Sequence, residues 1–293
     1  MVSTADELLR VGDLAGARVA LVGIVKAKPE DERARMFLFQ LLAIAGEWDK
    51  ARTQLLSLAQ LSGEAQMLAV AYGQAIAAEI TRGKVFAGEF RAEILVEPDG
   101  WAAGLAHAIQ LLALGNTEEG IAARDAAFDA APDCPGLFND RPFAWIGDCD
   151  SRFGPAFEVI IAGRYGLIPF DTVVSIKSDG PVDLRDLVWY PVQIAFKSGQ
   201  SVSAMLPTRY PGTEASTDHN EQLARATSWT AAPWGEIGHG QHLLTFGGND
   251  DQGADGQGAD GQAEDDQEPD DQGQQDRDLD DQGLLALKTL IFG

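Results

Sequence analysis

A chain of 293 residues is too long for one ordinary domain and comfortable for two, each large enough to bury its own core. Its 22 Lys and Arg face 45 Asp and Glu, and the resulting net charge of -23 repels phosphate backbones and anionic lipid. That balance excludes nucleic acid and membrane surfaces as partners and favours basic ones.

At the N-terminus, Asp6 and Glu7 stand where a secretory signal would carry positive charge. Arg18 interrupts the apolar run 14–25, and no later run reaches about 18 uninterrupted apolar residues, so a cytoplasmic protein is expected. Residues 3–131 are rich in Ala and Leu and fall into amphipathic segments of helical period, for example Ala34, Phe37, Leu38, Leu41, Leu42 and Ala45. The segment Gly12-Asp13-Leu14 with Ala17, Arg18 and Leu21 recurs 34 positions later as Gly46-Glu47-Trp48 with Ala51, Arg52 and Leu55, which is the tetratricopeptide (TPR) period. Gly115-Asn116 opens a looser third copy, and residues 65–82 read as one longer helix. The expected N-terminal domain, residues 1–132, is a TPR-like helical domain whose concave side would bind a partner helix or peptide. Phe37, Phe39, Tyr72 and Trp101 are read as core. Trp48, in the turn between helices, is the candidate partner contact. His107, on an apolar helix, is read as a partly buried packing residue.

The Pro132-Asp133-Cys134-Pro135-Gly136 segment breaks the last helix, and β-type composition follows it. Cys134 and Cys149 are fifteen apart with no CxxC and no matching His, so neither a zinc site nor a disulfide framework is expected. Residues 157–163 and 172–177 read as strands. In DLRDL, at 183–187, Asp183 caps a short helical turn that runs into a hairpin over 188–206, reversed at Lys197-Ser198-Gly199-Gln200. Pro191 lacks an N–H, which predicts a strand at a sheet edge or beside a bulge. The second domain, 136–293, is therefore expected to be a small mixed α+β domain with a largely antiparallel sheet. Asp148, Asp150 and Glu158 suggest a hard-cation site, but further oxygen ligands are missing from this stretch. An ion network is preferred, pairing Asp148, Asp150, Glu158 and Asp186 with Arg152, Arg185, Arg209 and Arg225.

Together these residues carry a resemblance. DCDSRFGP at 148–155 with Glu158, Gly163-Arg164-Tyr165, Pro169-Phe170, DLRDLVW at 183–189 with Pro191, LPTRYPG at 206–212 and Arg225-Ala226-Thr227-Ser228-Trp229 resemble the ImpE/TagJ family of bacterial type VI secretion accessory proteins. The resemblance implies a helical repeat domain joined to an α+β domain, no catalytic activity and no cofactor. It also implies binding to the N-terminal helix of the small contractile-sheath subunit and an indirect link to the AAA+ unfoldase that handles the sheath. Asp150, Arg152, Arg164, Tyr165, Arg185, Asp186, Trp189, Arg209, Tyr210, Arg225, Trp229 and Trp48 are the candidate partner-binding or motif-core residues. Gly166-Leu167 and Gly240-Gln241-His242 depart from the family pattern, which carries an aromatic and Gly-Gln-Arg there.

A larger departure is the run 249–283, with fourteen acids and the single base Arg277, which is too poor in apolar residues to offset its ordering entropy. It reads as a disordered insertion, because LLALKTLIF at 284–292 resembles a closing strand. Lengthening a loop from about 5 to about 35 residues costs only about 1.7 kcal/mol. Two alternative readings stand beside the adaptor. One is a generic TPR scaffold outside secretion. The other is a metal-dependent hydrolase built on His219, His239 and His242, although HExxH and GxSxG patterns are missing and the aspartates beside Cys149 disfavour its thiolate.

Overall fold

Glycine sets the turns between the helices. Gly12, Gly46 and Gly115 hold φ of 82°, 65° and 79°, the left-handed conformation that ends a helix without a Cβ clash. In the computed structural model, which describes residues 2–96, 100–248 and 281–293, these glycines separate three helix pairs. They lie between α1 (Val2–Arg10) and α2 (Leu14–Ala27), between α3 (Glu32–Ile44) and α4 (Trp48–Ala59), and between α6 (Trp101–Ala113) and α7 (Thr117–Ala130). The remaining helix of this half is α5 (Gly63–Phe86). Side chains cap the starts: Asp13 accepts from Gly16 N at 2.7 Å, Asp31 from Ala34 N at 2.9 Å and Ser62 from Ala65 N at 3.2 Å. The 34-residue spacing is thus the distance from the start of α2 to the start of α4. It lapses after two helix pairs, because α5 runs for 24 residues where α2 to α4 run for 12 to 14.

The second half is built on strands β1 (Gly136–Phe138), β2 (Arg141–Phe143), β3 (Trp145–Asp148), β4 (Ala156–Ile161), β5 (Arg164–Pro169), β6 (Val173–Lys177), β7 (Trp189–Phe196) and β8 (Ser201–Pro207). A short helix α8 (His219–Gln222) precedes β9 (Thr227–Ala232), β10 (Gly235–Gly240), β11 (Leu243–Gly247), β12 (Asp281–Gly283) and β13 (Thr289–Phe292). The main sheet has the order β2-β1-β13-β6-β7-β8-β4-β5. Its ladders are all antiparallel. Strands β12-β11-β3 form a smaller sheet, and β9 with β10 form a separate hairpin.

Two strand expectations change. The strand carrying Pro191 is central, flanked by β6 and β8, with a register shift between Val173 and Ser175. Proline is tolerated because the β6 ladder stops at Gln193, so position 191 faces Met205 of β8 and has no ladder partner on the other side. The apolar closing segment is a 3-10 turn at Leu284–Ala286 followed by β13, which lies between β1 and β6 in the sheet interior. Within the acidic run, residues 281–283 pair with β11, Leu243 opposite Gly283; residues 249–280 lie outside the described residues.

Packing crosses from helices to sheet. One apolar cluster joins Phe39, Tyr72 and Ile76 of the helices to Phe153, Tyr165, Trp189 and Tyr210 of the second half. A second cluster fills the other side of the sheet, with Phe157, Phe170, Ile194 and Leu290 among its members. Residue Trp189, wholly buried, is ringed by Tyr72, Trp48 and Phe39 at centroid distances of 5.6, 6.0 and 6.5 Å.

Candidate functional site

Polar residues of several of these motifs meet at this seam. Arg82, near the C-terminal end of α5, reaches Glu158 of β4 with two parallel bonds of 2.7 Å, donates to Arg209 O at 2.7 Å and lies 3.4 Å from Glu79. Glu158 also accepts from Tyr165 Oη at 2.7 Å and from His242 Nε2 at 3.0 Å. The other His242 nitrogen, Nδ1, lies 2.7 Å from Asp148, whose second oxygen accepts from Tyr210 Oη at 2.9 Å. Beside it Asp150, wholly buried, takes Arg152 Nε and Nη2 at 2.9 and 2.6 Å and Gly238 N at 2.8 Å. Trp189 Nε1 donates to Glu79 at 3.1 Å, so the aromatic cluster and the ionic one share a member.

Burial by itself would lower the pKa of His242, but the Asp148 carboxylate and the hydrogen bonds to Asp148 and Glu158 outweigh it and raise the value to about 9. The imidazolium then donates from both nitrogens. Burial pushes Glu158 up, but the charge and paired bonds of Arg82, with those of His242, hold it well below the carboxylate range. Three cations, Arg82, Arg152 and His242, thus stand against four carboxylates, Asp148, Asp150, Glu158 and Glu79, the last with its pKa raised by burial. Arg209 is different: its guanidinium is spent on the carbonyls of Ile44 (2.9 Å) and Gln222 (2.6 Å), and burial lowers its pKa to about 10.

The expected ion pairs are therefore rearranged. Arg152 with Asp150 is present. Arg185 pairs with Asp183 at 3.0 Å and lies 4.8 Å over the Tyr72 ring, while Asp186 spends its carboxylate on the Val182 and Asp183 N–H groups at 2.8 and 2.9 Å. The reason is local: a carboxylate three positions into a 3-10 turn meets the free N–H groups at its start before any arginine. Arg225 is exposed, and Arg164 is exposed and paired with Glu93. Trp229, half-buried, packs on Tyr210 at 5.6 Å. Of the twelve candidates, Asp150, Tyr165, Asp186, Trp189, Arg209 and Tyr210 are buried and present no surface to a partner. Trp48 and Arg152 line an open cleft of about 400 Å³ beside the seam, together with Phe86 and Glu214.

Three members of the seam escape the sequence reading: Arg82, Glu79 and the role of His242. A signal existed for the first two, a Glu and an Arg three apart inside the small and apolar stretch AIAAEITRG at 75–83. His242, read from the sequence only as a departure in the Gly240-Gln241-His242 step, bridges two carboxylates.

Chemically the arrangement is saturated. Both nitrogens of His242 are taken by carboxylates and the residue is 4% exposed, so neither reaches a substrate. His219 bonds Gln222 and His239 bonds Thr230, so the three histidines have separate settings. Among the described residues no group of His, Cys, Asp or Glu is placed to hold a metal ion. Burial and the nearby Asp281 raise the Cys149 thiol far above its usual range. Among the described residues no helix is long and apolar enough to cross a membrane.

Three similarities accompany this geometry. The family model described as ImpE protein matches residues 140–253. A Pseudomonas aeruginosa protein described as type VI secretion system accessory component TagJ is 43% identical over 225 residues, 77% of this chain and 80% of the relative. The crystal structure of a Vibrio parahaemolyticus protein superposes with a TM-score of 0.79 at 20% identity, covering 99% of this chain and 97% of that one, which shows a shared fold.

Proposed function

The chain belongs to the ImpE/TagJ family, and from that premise we propose that it is a non-enzymatic adaptor of a bacterial type VI secretion system. In this reading it works in the cytoplasm, binds the N-terminal helix of the small sheath subunit, and through the sheath is linked to the AAA+ unfoldase. The observation that carries the proposal is the 43% identity to the Pseudomonas aeruginosa TagJ across 80% of that protein's length. Two features support it. Helices α2 to α5, across which the 34-residue spacing is read as TPR-like, offer exposed helical surface of the kind that receives peptides and helices. The polar cluster at the seam has its hydrogen-bonding capacity filled from within, as suits a structural joint better than a reaction centre.

The test is recovery of the protein with its partners from its own cell, read by mass spectrometry, beside metal analysis of the purified chain. Enrichment of the small sheath subunit is the expected result. A recovered set lacking every sheath component, or stoichiometric metal with hydrolytic activity, would refute the adaptor reading.

A further inference from the structure

The helical half carries an apolar groove of about 480 Å³ that no part of the described chain fills. Helix α3 packs against both α2 and α4 and forms the floor with Leu38 and Leu42. The walls come from Val19 and Val22 of α2 and from Thr53 and Gln54 of α4. Val19 is 70% exposed, an apolar side chain held in water at the lip. The lip itself is cationic. Arg18 and Lys50 both pair with Glu47, a single carboxylate between two cations, and the Lys50 side chain is 72% exposed. This one-charge excess stands out in a chain of net charge -23. The N-terminal end of α4 opens beside it, where Glu47 supplies no side-chain cap and the positive end of the helix dipole is offset in part by Asp49 of the first turn.

We infer that this groove seats one turn of a partner's amphipathic α-helix, gripping two apolar side chains spaced i, i+4 and flanked by an acidic side chain. The inference rests on the adaptor reading above and assigns that reading its surface. The dimensions set the number of anchors. Arg18 to Val22 on one wall and Lys50 to Gln54 on the other each span about 6 Å, one helical turn, which accommodates two apolar side chains and not three. The positive lip selects the flank: an acidic residue there pairs with Lys50 or Arg18, and a basic one meets like charge. The larger concavity of about 830 Å³, between α5 and strands β7 and β8, also has apolar side chains such as Tyr72, Ile160 and Met205, but both signs of charge line it, with Lys177, Asp183, Arg185 and Lys288, so a greater share of its wall is polar.

The experiment uses the full chain and, as probe, a synthetic fluorescent peptide of the N-terminal helix of the small sheath subunit from the same cell, with binding read by anisotropy. Val19→Asp and Lys50→Glu alter the groove, and Lys177→Glu alters the other concavity. All three side chains are exposed, so folding is retained and checked by circular dichroism. The expected result is peptide binding by the wild type, weakened about tenfold or more by Val19→Asp. Lys50→Glu weakens it at low salt with a loss that shrinks as salt rises, and Lys177→Glu leaves it unchanged. Binding that survives both groove substitutions, or that Lys177→Glu abolishes, overturns the groove assignment and leaves the adaptor reading standing. A wild-type chain that fails to bind the peptide overturns both.

Discussion

Glu158 is held from three separate elements. It is 4% exposed and accepts hydrogen bonds from Arg82, Tyr165 and His242, which come from a helix, a neighbouring strand and a loop. Glu158→Gln removes one charge from a buried set and leaves Arg82 and His242 facing each other's field, so a loss of about 3 to 5 kcal/mol is expected by urea denaturation. The sign of the pH dependence follows from His242. Its folded pKa of about 9 lies above the unfolded value near 6.5, so its stabilisation is complete below pH of about 6.5 and is lost as pH rises through 9. The full span corresponds to about 3 kcal/mol. His242→Gln is expected to flatten the stability profile across this window; an unchanged slope would remove the imidazolium from the account. Glu158 acts in the opposite sense, because its depressed pKa gives stabilisation that is lost only in acid. Arg185→Ala is a milder change. The side chain keeps 18% exposure and its Asp183 partner 28%, so the loss of one partly screened ion pair and one cation–π contact should cost about 1 to 2 kcal/mol in a thermal melt.

At the scale of elements, the loop between β3 and β4 is the seat of α7. Gly154 holds φ of 49°, and a Cβ added there would enter the ring of Phe128 on α7. Gly154→Ala thus combines left-handed strain of about 1 kcal/mol with overpacking of about 1 to 3 kcal/mol. Urea denaturation should show a loss of about 2 to 4 kcal/mol. The double variant with Phe128→Leu should recover part of it, since a smaller side chain frees the space. A Gly154→Ala protein of unchanged stability would mean that α7 can shift on the loop. Strand β7 teaches a related point about proline: its tolerance is decided position by position along a strand, by whether a second ladder continues past that residue.

For the whole molecule, the seam argues for a single cooperative unit. Phe39 and Tyr72 of the helices and Trp189 of the sheet lie in one apolar cluster, and Arg82 bonds Glu158 across the same boundary. We expect tryptophan fluorescence and far-ultraviolet circular dichroism to unfold in one coincident transition, although each half has the length of a domain. Two separated transitions would show that the seam adds little. Deleting 249–280, whose flanks β11 and β12 pair with each other, should leave the melting temperature nearly unchanged.

Local chemistry was enough to determine the helical first half, the antiparallel second half and the capped turn at Asp183, while the family was carried by the resemblance of its motifs. Helical period, capping residues and β-branched runs act over a few positions and are written directly in the chain. Arg152 with Asp150, two positions apart, was legible as well, whereas the long-range buried ion pairs were decided by tertiary structure alone. Glu158 meets Arg82 across 76 positions and His242 across 84, and a charge's sequence neighbours say nothing of which distant element returns to face it. Periodicity marks the side of a helix that is buried, but not whether an Arg on that side will find a carboxylate, a carbonyl or an aromatic ring. For that reason Arg82, Arg209 and Arg185, three arginines of one chain, ended with those three different partners.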